Sequence, residues 1–245
     1  MDSKIPLDGI KTVVLNCSLK LMFDTTKAIS AHDETRRKLL DAAGEVFADV
    51  GYQAATVREI CSRAGVNLAA VNYHFGDKLG LYTELLQIAV ANEKAVTGEA
   101  MRALPPEEAL RRFLQVMLRQ MHRADRPSWH TKVMTHELAH PTPALDAVVE
   151  HMIKPKARVL YSIVGRLIGR GPLDPRTRMC AHSIVGQVVH YVHGRPVIAL
   201  LWPELEMTPR TVEEIARHIT EFSLEALKGI KRNSKRTAPK ARRLK

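Results

Sequence analysis

Two stretches of this chain carry residue types at spacings that suit chemistry. In His136-Glu137-Leu138-Ala139-His140, two histidines stand one helical turn apart with a glutamate beside the first. On one helix face that pattern binds zinc through both imidazoles while the carboxylate activates a water, the arrangement of a zinc-dependent hydrolase. A catalytic zinc requires a third protein ligand, and His130 and His151 are the neighbouring histidines that qualify. Pro141 follows the motif directly, and a chain with 11 histidines also produces this spacing by chance, so surface or pocket histidines are the default reading. No glycine-rich phosphate loop, nucleophile elbow or pair of catalytic carboxylates accompanies the motif. The chain is therefore read as no enzyme, with no cofactor and no metal. The second stretch, TVREICSRAGVNLAAVNYHFGDKLG at residues 56–80, offers Arg58, Asn67, Asn72, Tyr73, His74 and Lys78 as donors and acceptors for bases and phosphates.

Positioning those side chains requires a helix, a tight turn and a second helix. Thr56 lies three residues before Glu59, the spacing at which a hydroxyl and a carboxylate satisfy free amides at a helix start. Val57, Ile60, Cys61 and Ala64 then form one apolar stripe, with Arg58, Ser62 and Arg63 facing away. Gly65 suits a sharp turn with positive φ, and Asn67 is a good cap for the next helix. That helix is mostly small up to Tyr73, so its first residues can approach a groove floor while Val66, Val71 and Phe75 face the core. A preceding helix from Asp33 to Gly51 supplies Leu39, Leu40, Ala43, Val46 and Phe47. Arg58 is expected to position the second helix of this trio or reach a base, and Thr56 to cap it at the DNA. Asn67, Leu68, Ala69 and Ala70 are expected at the groove floor, with Asn72, Tyr73, His74 and Lys78 on phosphates. An unspecialised helical hairpin is the alternative, outweighed because cap, turn, periodicity and spacing agree.

Through LLDAAGEVFADVGYQAATVREICSRAGV and VNYHFGDKLGLY, the chain resembles the TetR family of one-component transcriptional regulators. NLAAVNYHF and the later GQVVHYVHGRPVI are similar to the subgroup named for CecR (YbiH). The family usually has Leu-Tyr where this chain has Val71-Asn72, so a frequent phosphate-contacting tyrosine is absent there, and Tyr73 and His74 are expected to compensate. The resemblance implies a homodimer held by a two-fold four-helix bundle, with Gly186, Gln187, His190 and Phe222 at the interface and Tyr191 and His193 on or beside it. It also implies an effector cavity in the C-terminal domain, for whose wall Trp129, Met134 and His136 are selected. The function implied is a ligand-responsive repressor that binds a palindromic double-stranded DNA operator and is released by an unknown small molecule.

Composition supports an all-α fold: 245 residues, 45% hydrophobic but only 5% aromatic, with apolar residues at helical spacing. Four segments are expected: a disordered extension over 1–32, the helix-turn-helix domain over 33–82, a helical effector and dimerisation domain over 83–227, and a basic disordered tail over 228–245. The net charge of +11 is concentrated at the end, since residues 228–245 carry nine Lys/Arg and no acid whereas residues 33–82 carry six Lys/Arg and seven Asp/Glu. Such a tail strengthens nonspecific DNA binding or merely solubilises, and a nonspecific architectural DNA-binding protein is the rival reading it supports. Cys17, Cys61 and Cys180 are odd in number and far apart, which fits a reducing cytoplasm without disulfides. No apolar run is long enough to span a membrane. VVLNCSLKLMF near the N-terminus is interrupted by Asn16, Ser18 and Lys20, so it is read as an extension and not as a signal peptide, or translation begins at Met22. Further along, prolines and glycines divide the chain into helices starting near Leu79, Pro106, Trp129, Leu145, Arg176 and Pro209. Met117, Met121, Met134 and Met152 are ordinary core or the lining of an adaptable pocket.

Overall fold

The computed structural model describes residues 32–90, 98–122 and 129–236, and these residues are helical with no strand among them. The chain divides into two compact units, one ending at Tyr82 and one beginning at Thr83.

In the first unit, α1 covers residues 32–54, α2 Val57–Ala64, α3 Ala69–Phe75, and α4 starts at Lys78 and runs to Val90. Leu39, Leu40, Ala43, Val46 and Phe47 of α1 are all buried, as their three- and four-residue spacing predicts, together with Ile60 and Cys61 of α2 and Val71 of α3. Each of the leucine, valine, isoleucine and phenylalanine side chains contributes about 1.5–3 kcal/mol by leaving water. The ring of Phe47 meets that of Tyr82 edge-on at 4.8 Å and stacks on Tyr52 at 6.0 Å, which closes the core on its aromatic side. Cys61 behaves as a small core residue, and burial raises its thiol pKa. Arg63 lies 3.6 Å from Glu45, 3.7 Å from Asp49 and 3.8 Å from Glu59, a solvent-exposed cluster that orients α2 on α1 but adds little stability.

The second unit continues with α5 (Gly98–Ala103), α6 (Pro106–Met121), α7 (Trp129–Ala139), α8 (Ala144–Val148), α9 (Lys154–Ile168), α10 (Pro175–His193), α11 (Arg195–Leu201) and α12 (Pro209–Arg236). Its core is a bundle in which α6 packs on α9 and α12, and α10 on α9 and α12, around Leu110, Leu114, Leu160, Ile163, Ile184 and Ile219. The single helix expected from Leu145 to Ile168 is instead two α-helices joined by a π-helical turn over Val149–Ile153. Pro155 accounts for this: it has no amide to donate and its ring crowds the preceding turn, so the chain there widens and Lys154 N–H donates to the Val149 carbonyl.

The boundary expected at residue 228 is not where order ends. Helix α12 continues to Arg236, because Leu227 is buried, Ile230 packs on the core and Lys228 pairs with Glu225, while basic residues suit a helix C-terminus. The remainder of the expected tail, residues 237–245, and the expected N-terminal extension up to residue 31 lie outside the described residues. No helix among the described residues is long and apolar enough to cross a membrane.

Candidate functional site

The helix-turn-helix is built by its turn residues. Thr56 is the N-cap of α2, its Oγ1 accepting from Glu59 N–H at 3.2 Å, while the Glu59 carboxylate turns toward Arg63. Gly65 adopts φ 66°, ψ 37°, and the Val66 amide donates to the Cys61 carbonyl at 3.0 Å, so the chain reverses at once into α3. The Asn67 side chain then accepts from Ala69 N–H at 2.9 Å, which fixes the start of α3 and leaves its amide group to donate outward. At the far end Gly76, φ 82°, and the Asp77 carboxylate, accepting from Gly80 N–H at 2.7 Å, turn the chain into α4.

The structure brings Asn67, Leu68, Ala69, Asn72 and Tyr73 together on the exposed side of α3, with Ala70 half-buried beside them. Tyr73 is 75% exposed and Leu68 48%, while Val71 alone of this helix is fully buried. Val66 and Phe75, expected in the core, are only half-buried. Arg58 is exposed on α2.

Two residues expected on phosphates have neighbours within the chain. Lys78 donates to the backbone carbonyls of Tyr52 at 2.8 Å and Ala55 at 3.0 Å, and its ammonium lies 4.3 Å from the Tyr52 ring centroid, so it clasps the end of α1 to the start of α4. His74 packs against His32 at 4.4 Å and Phe75 at 6.0 Å, with Nδ1 buried and without a hydrogen-bond partner. Burial, and then the neighbouring His32 and Arg36, hold its pKa below the usual histidine value. Sequence alone gave no sign of either contact, since both depend on which carbonyls and rings the fold brings near.

In the second unit a cavity of about 320 Å³ opens among α4, α6, α7, α9 and α10. Phe113, Met117, Met121, Met134, Leu160 and Val189 form most of its wall, and Lys156, His130 and His193 supply polarity. Three of the four methionines singled out therefore line the cavity, whereas Met152 does not. Of the three residues expected on the wall of an effector cavity, Met134 lines this one. Trp129 is buried with its ring 4.0 Å from that of His130, and His136 is half-buried elsewhere on α7. A helix presents only one residue in three or four to a given side, and the side facing the cavity carries His130, Thr131, Met134 and Leu138.

The His136–His140 motif has a structural use. Glu137 is fully buried and its carboxylate accepts from Thr142 N–H at 2.8 Å and from the Thr142 hydroxyl at 3.2 Å, which holds the Pro141-Thr142-Pro143 turn against α7. The helix ends at Ala139, and the His140 amide donates to the His136 carbonyl at 2.8 Å. Among the described residues no three histidines, cysteines or carboxylates cluster as metal ligands.

The residues expected at a dimer interface lie on one surface of α10 and α12. Gly186 and His190 are exposed on α10, and Phe222 is 62% exposed on α12. Between them Gln187 Nε2 donates to Ser223 Oγ at 3.4 Å, fixing the two helices side by side. A methyl group built at Gly186 would touch nothing, so the helix is bare there.

Two protein-family descriptions match the chain. That of the bacterial regulatory proteins of the TetR family covers residues 39–85, and that of the C-terminal domain of the HTH-type transcriptional dual regulator CecR covers residues 106–227. The chain is 27% identical over 180 residues to CecR of Shigella flexneri, spanning 69% of this chain and 80% of that protein. To the HTH-type transcriptional activator FasR of Mycolicibacterium smegmatis it is 47% identical over 70 residues, 29% of this chain and 32% of that one. Among solved structures, the TetR family regulator PfmR of Thermus thermophilus has a TM-score of 0.55 at 21% identity, covering 76% of this chain and 97% of that one. The regulator FadR of Bacillus subtilis, in complex with stearoyl-CoA, has a TM-score of 0.54 at 17% identity, covering 77% and 97% respectively, and these two show a shared fold.

Proposed function

Since the chain belongs to the TetR family of bacterial transcriptional regulators and carries a C-terminal domain of the CecR type, we propose that it acts as a homodimeric repressor, binding a palindromic operator through α3 and leaving it when a small molecule fills the cavity. The observation that carries this reading is the exposed face of α3, where Asn67, Leu68, Asn72 and Tyr73 stand clear of a helix anchored by Val71. A helix presented so bare of its own chain suits the floor of a major groove, with side-chain donors at its rim. One such helix reads too few base pairs for a useful specificity ratio, which supports pairing through the α10 and α12 surface. Lys78 and His74 act in this scheme as supports of the turn, and phosphate contacts fall to Asn72 and Tyr73. The protein works in the cytoplasm and catalyses no reaction.

Replacing Tyr73 with alanine is expected to weaken operator binding by about 1–2 kcal/mol, the worth of one hydrogen bond to a charged group, with the dimer still folded. A gel-shift titration on DNA flanking the protein's own gene measures this, and unchanged affinity removes Tyr73 from the contact surface. The same titration separates regulator from zinc hydrolase. Chelator-treated protein and the His136→Ala, His140→Ala double mutant are expected to bind the operator as the wild type does, because Glu137 is committed to the Thr142 turn. Stoichiometric zinc by elemental analysis, together with loss of DNA binding in that mutant, would reverse the assignment.

A further inference from the structure

His193, the last residue of α10, joins the cavity wall to α7. The Thr135 hydroxyl lies 2.8 Å from the Thr131 carbonyl and 2.7 Å from His193 Nδ1. A carbonyl only accepts and a hydroxyl has a single proton, so Thr135 donates to Thr131 and accepts at its other contact. Both contacts are then hydrogen bonds only with the ring proton on Nδ1, which leaves a bare lone pair on Nε2. Thr135 is exposed and lies outside the cavity wall, whereas His193 belongs to it, so the Nε2 edge is the part of the ring that faces the cavity. Burial lowers the pKa of His193, which keeps the ring in this neutral form.

The wall beside this acceptor is largely apolar, with Met117, Met134, Leu160 and Val189 among its residues, and its volume is at the small end of the range of ligand sites. A ligand that fills such a space displaces the water that would otherwise serve Nε2. A lone pair then left without a donor costs more than the hydrogen bond itself contributes. Lys156 on the same wall donates to the Val90 carbonyl at 2.6 Å, and an ammonium has no lone pair with which to receive a proton from a ligand. Selection for a donor therefore falls to His193.

We infer that the cavity selects an apolar molecule bearing a hydroxyl, which donates to His193 Nε2, with Thr135 as the positioning residue that fixes the tautomer of the ring. The inference rests on the cavity being the effector site. A donor at Nε2 also makes Nδ1–H a stronger donor to Thr135, because hydrogen bonds in a chain polarise one another. The ligand thus tightens the joint between α7 and the end of α10, the helix that carries Gly186 and His190 on its exposed side. The apolar body of the ligand lies along the methionines, whose flexible side chains tolerate several shapes.

Calorimetric titration of the full-length protein with the primary alcohols hexanol and octanol, each beside its isomeric ether, pentyl methyl ether or heptyl methyl ether, tests this. Alcohol and ether contain the same atoms and both offer an acceptor oxygen, so any donation from Lys156 serves them alike, and only the alcohol donates. The alcohol is expected to bind about tenfold more tightly than its isomer. His193→Asn keeps an amide donor for Thr135 but has no acceptor at the place of Nε2, and is expected to bring the alcohol down to the affinity of the ether. His193→Gln, whose amide oxygen reaches that place, is expected to restore the difference. Nitrogen NMR spectra of isotope-labelled protein are expected to show Nδ1 of His193 protonated and Nε2 bare, with the Nε2 signal moving on addition of octanol and not of the ether. In Thr135→Val the proton is expected on Nε2 and the preference is lost. Equal binding of alcohol and ether, a preference that survives in His193→Asn or Thr135→Val, or a proton on Nε2 of the wild type would each overturn the inference while leaving the cavity as effector site. Binding of none of these probes would overturn both. Should His193→Asn fail to fold, the wild-type titrations and spectra decide alone.

Discussion

Protein carrying Gly80→Ala is expected to lose operator binding while the second unit keeps its helical content. A Cβ at Gly80 would lie 2.0 Å from the Phe75 carbonyl oxygen and 3.2 Å from its carbon. Both are backbone atoms, so no change of rotamer relieves the overlap. The end of α3 and the start of α4 must part, against the Asp77 to Gly80 hydrogen bond and the clasp of Lys78 on Tyr52 and Ala55. Overpacking of this kind costs about 3 kcal/mol, and it falls on the junction that sets the angle of the recognition helix. Denaturant unfolding followed by fluorescence or circular dichroism should show the loss of stability, and gel shifts the loss of binding. Wild-type behaviour in both would mean that α3 and α4 do not meet as described.

The second large effect is expected at the surface proposed for pairing. Phe222→Glu should convert the dimer to monomer in sedimentation or size-exclusion measurements without altering the fold of the chain, because Phe222 is 62% exposed within it. Across a two-fold axis the substitution is made twice, removing two aromatic anchors and bringing two carboxylates toward an apolar contact. Central aromatic residues at interfaces are worth about 2 kcal/mol or more each, and like charges facing each other add several more. Operator affinity should fall with the dimer. A dimer that persists in this variant places the interface on another surface.

The amino-terminal unit was legible in the sequence because its determinants are local. Thr56, Gly65, Asn67 and the apolar stripe of α1 each act within a few residues, and each is found at its task, as are Ile60 and Cys61 of α2, whereas Val57 and Ala64 are only half-buried. What escaped is decided at long range. Nothing local to Lys78 announced the two carbonyls, from residues 52 and 55, that the fold delivers to its ammonium. The histidines at 136 and 140 read by default as surface or pocket residues, and nothing local announced that Glu137 between them would hold the Thr142 turn. The methionine pattern pointed to Met117, Met121, Met134 and Met152, of which the first three line the cavity, but nothing local announced Lys156, which donates to a carbonyl 66 residues away. Helix α5 carried too short a pattern to be anticipated, and the extension of α12 to Arg236 was hidden beneath a run of basic residues that also suits a solvated tail.

Footprinting of the purified protein on DNA flanking its own gene tests the central claim most directly. The account predicts an inverted repeat protected on one face of the duplex, with half-sites about one helical turn apart or a multiple of it, bound far more tightly than scrambled DNA at the same salt. Protection without sequence preference, set by salt alone, would contradict it and make the protein a nonspecific binder of phosphate.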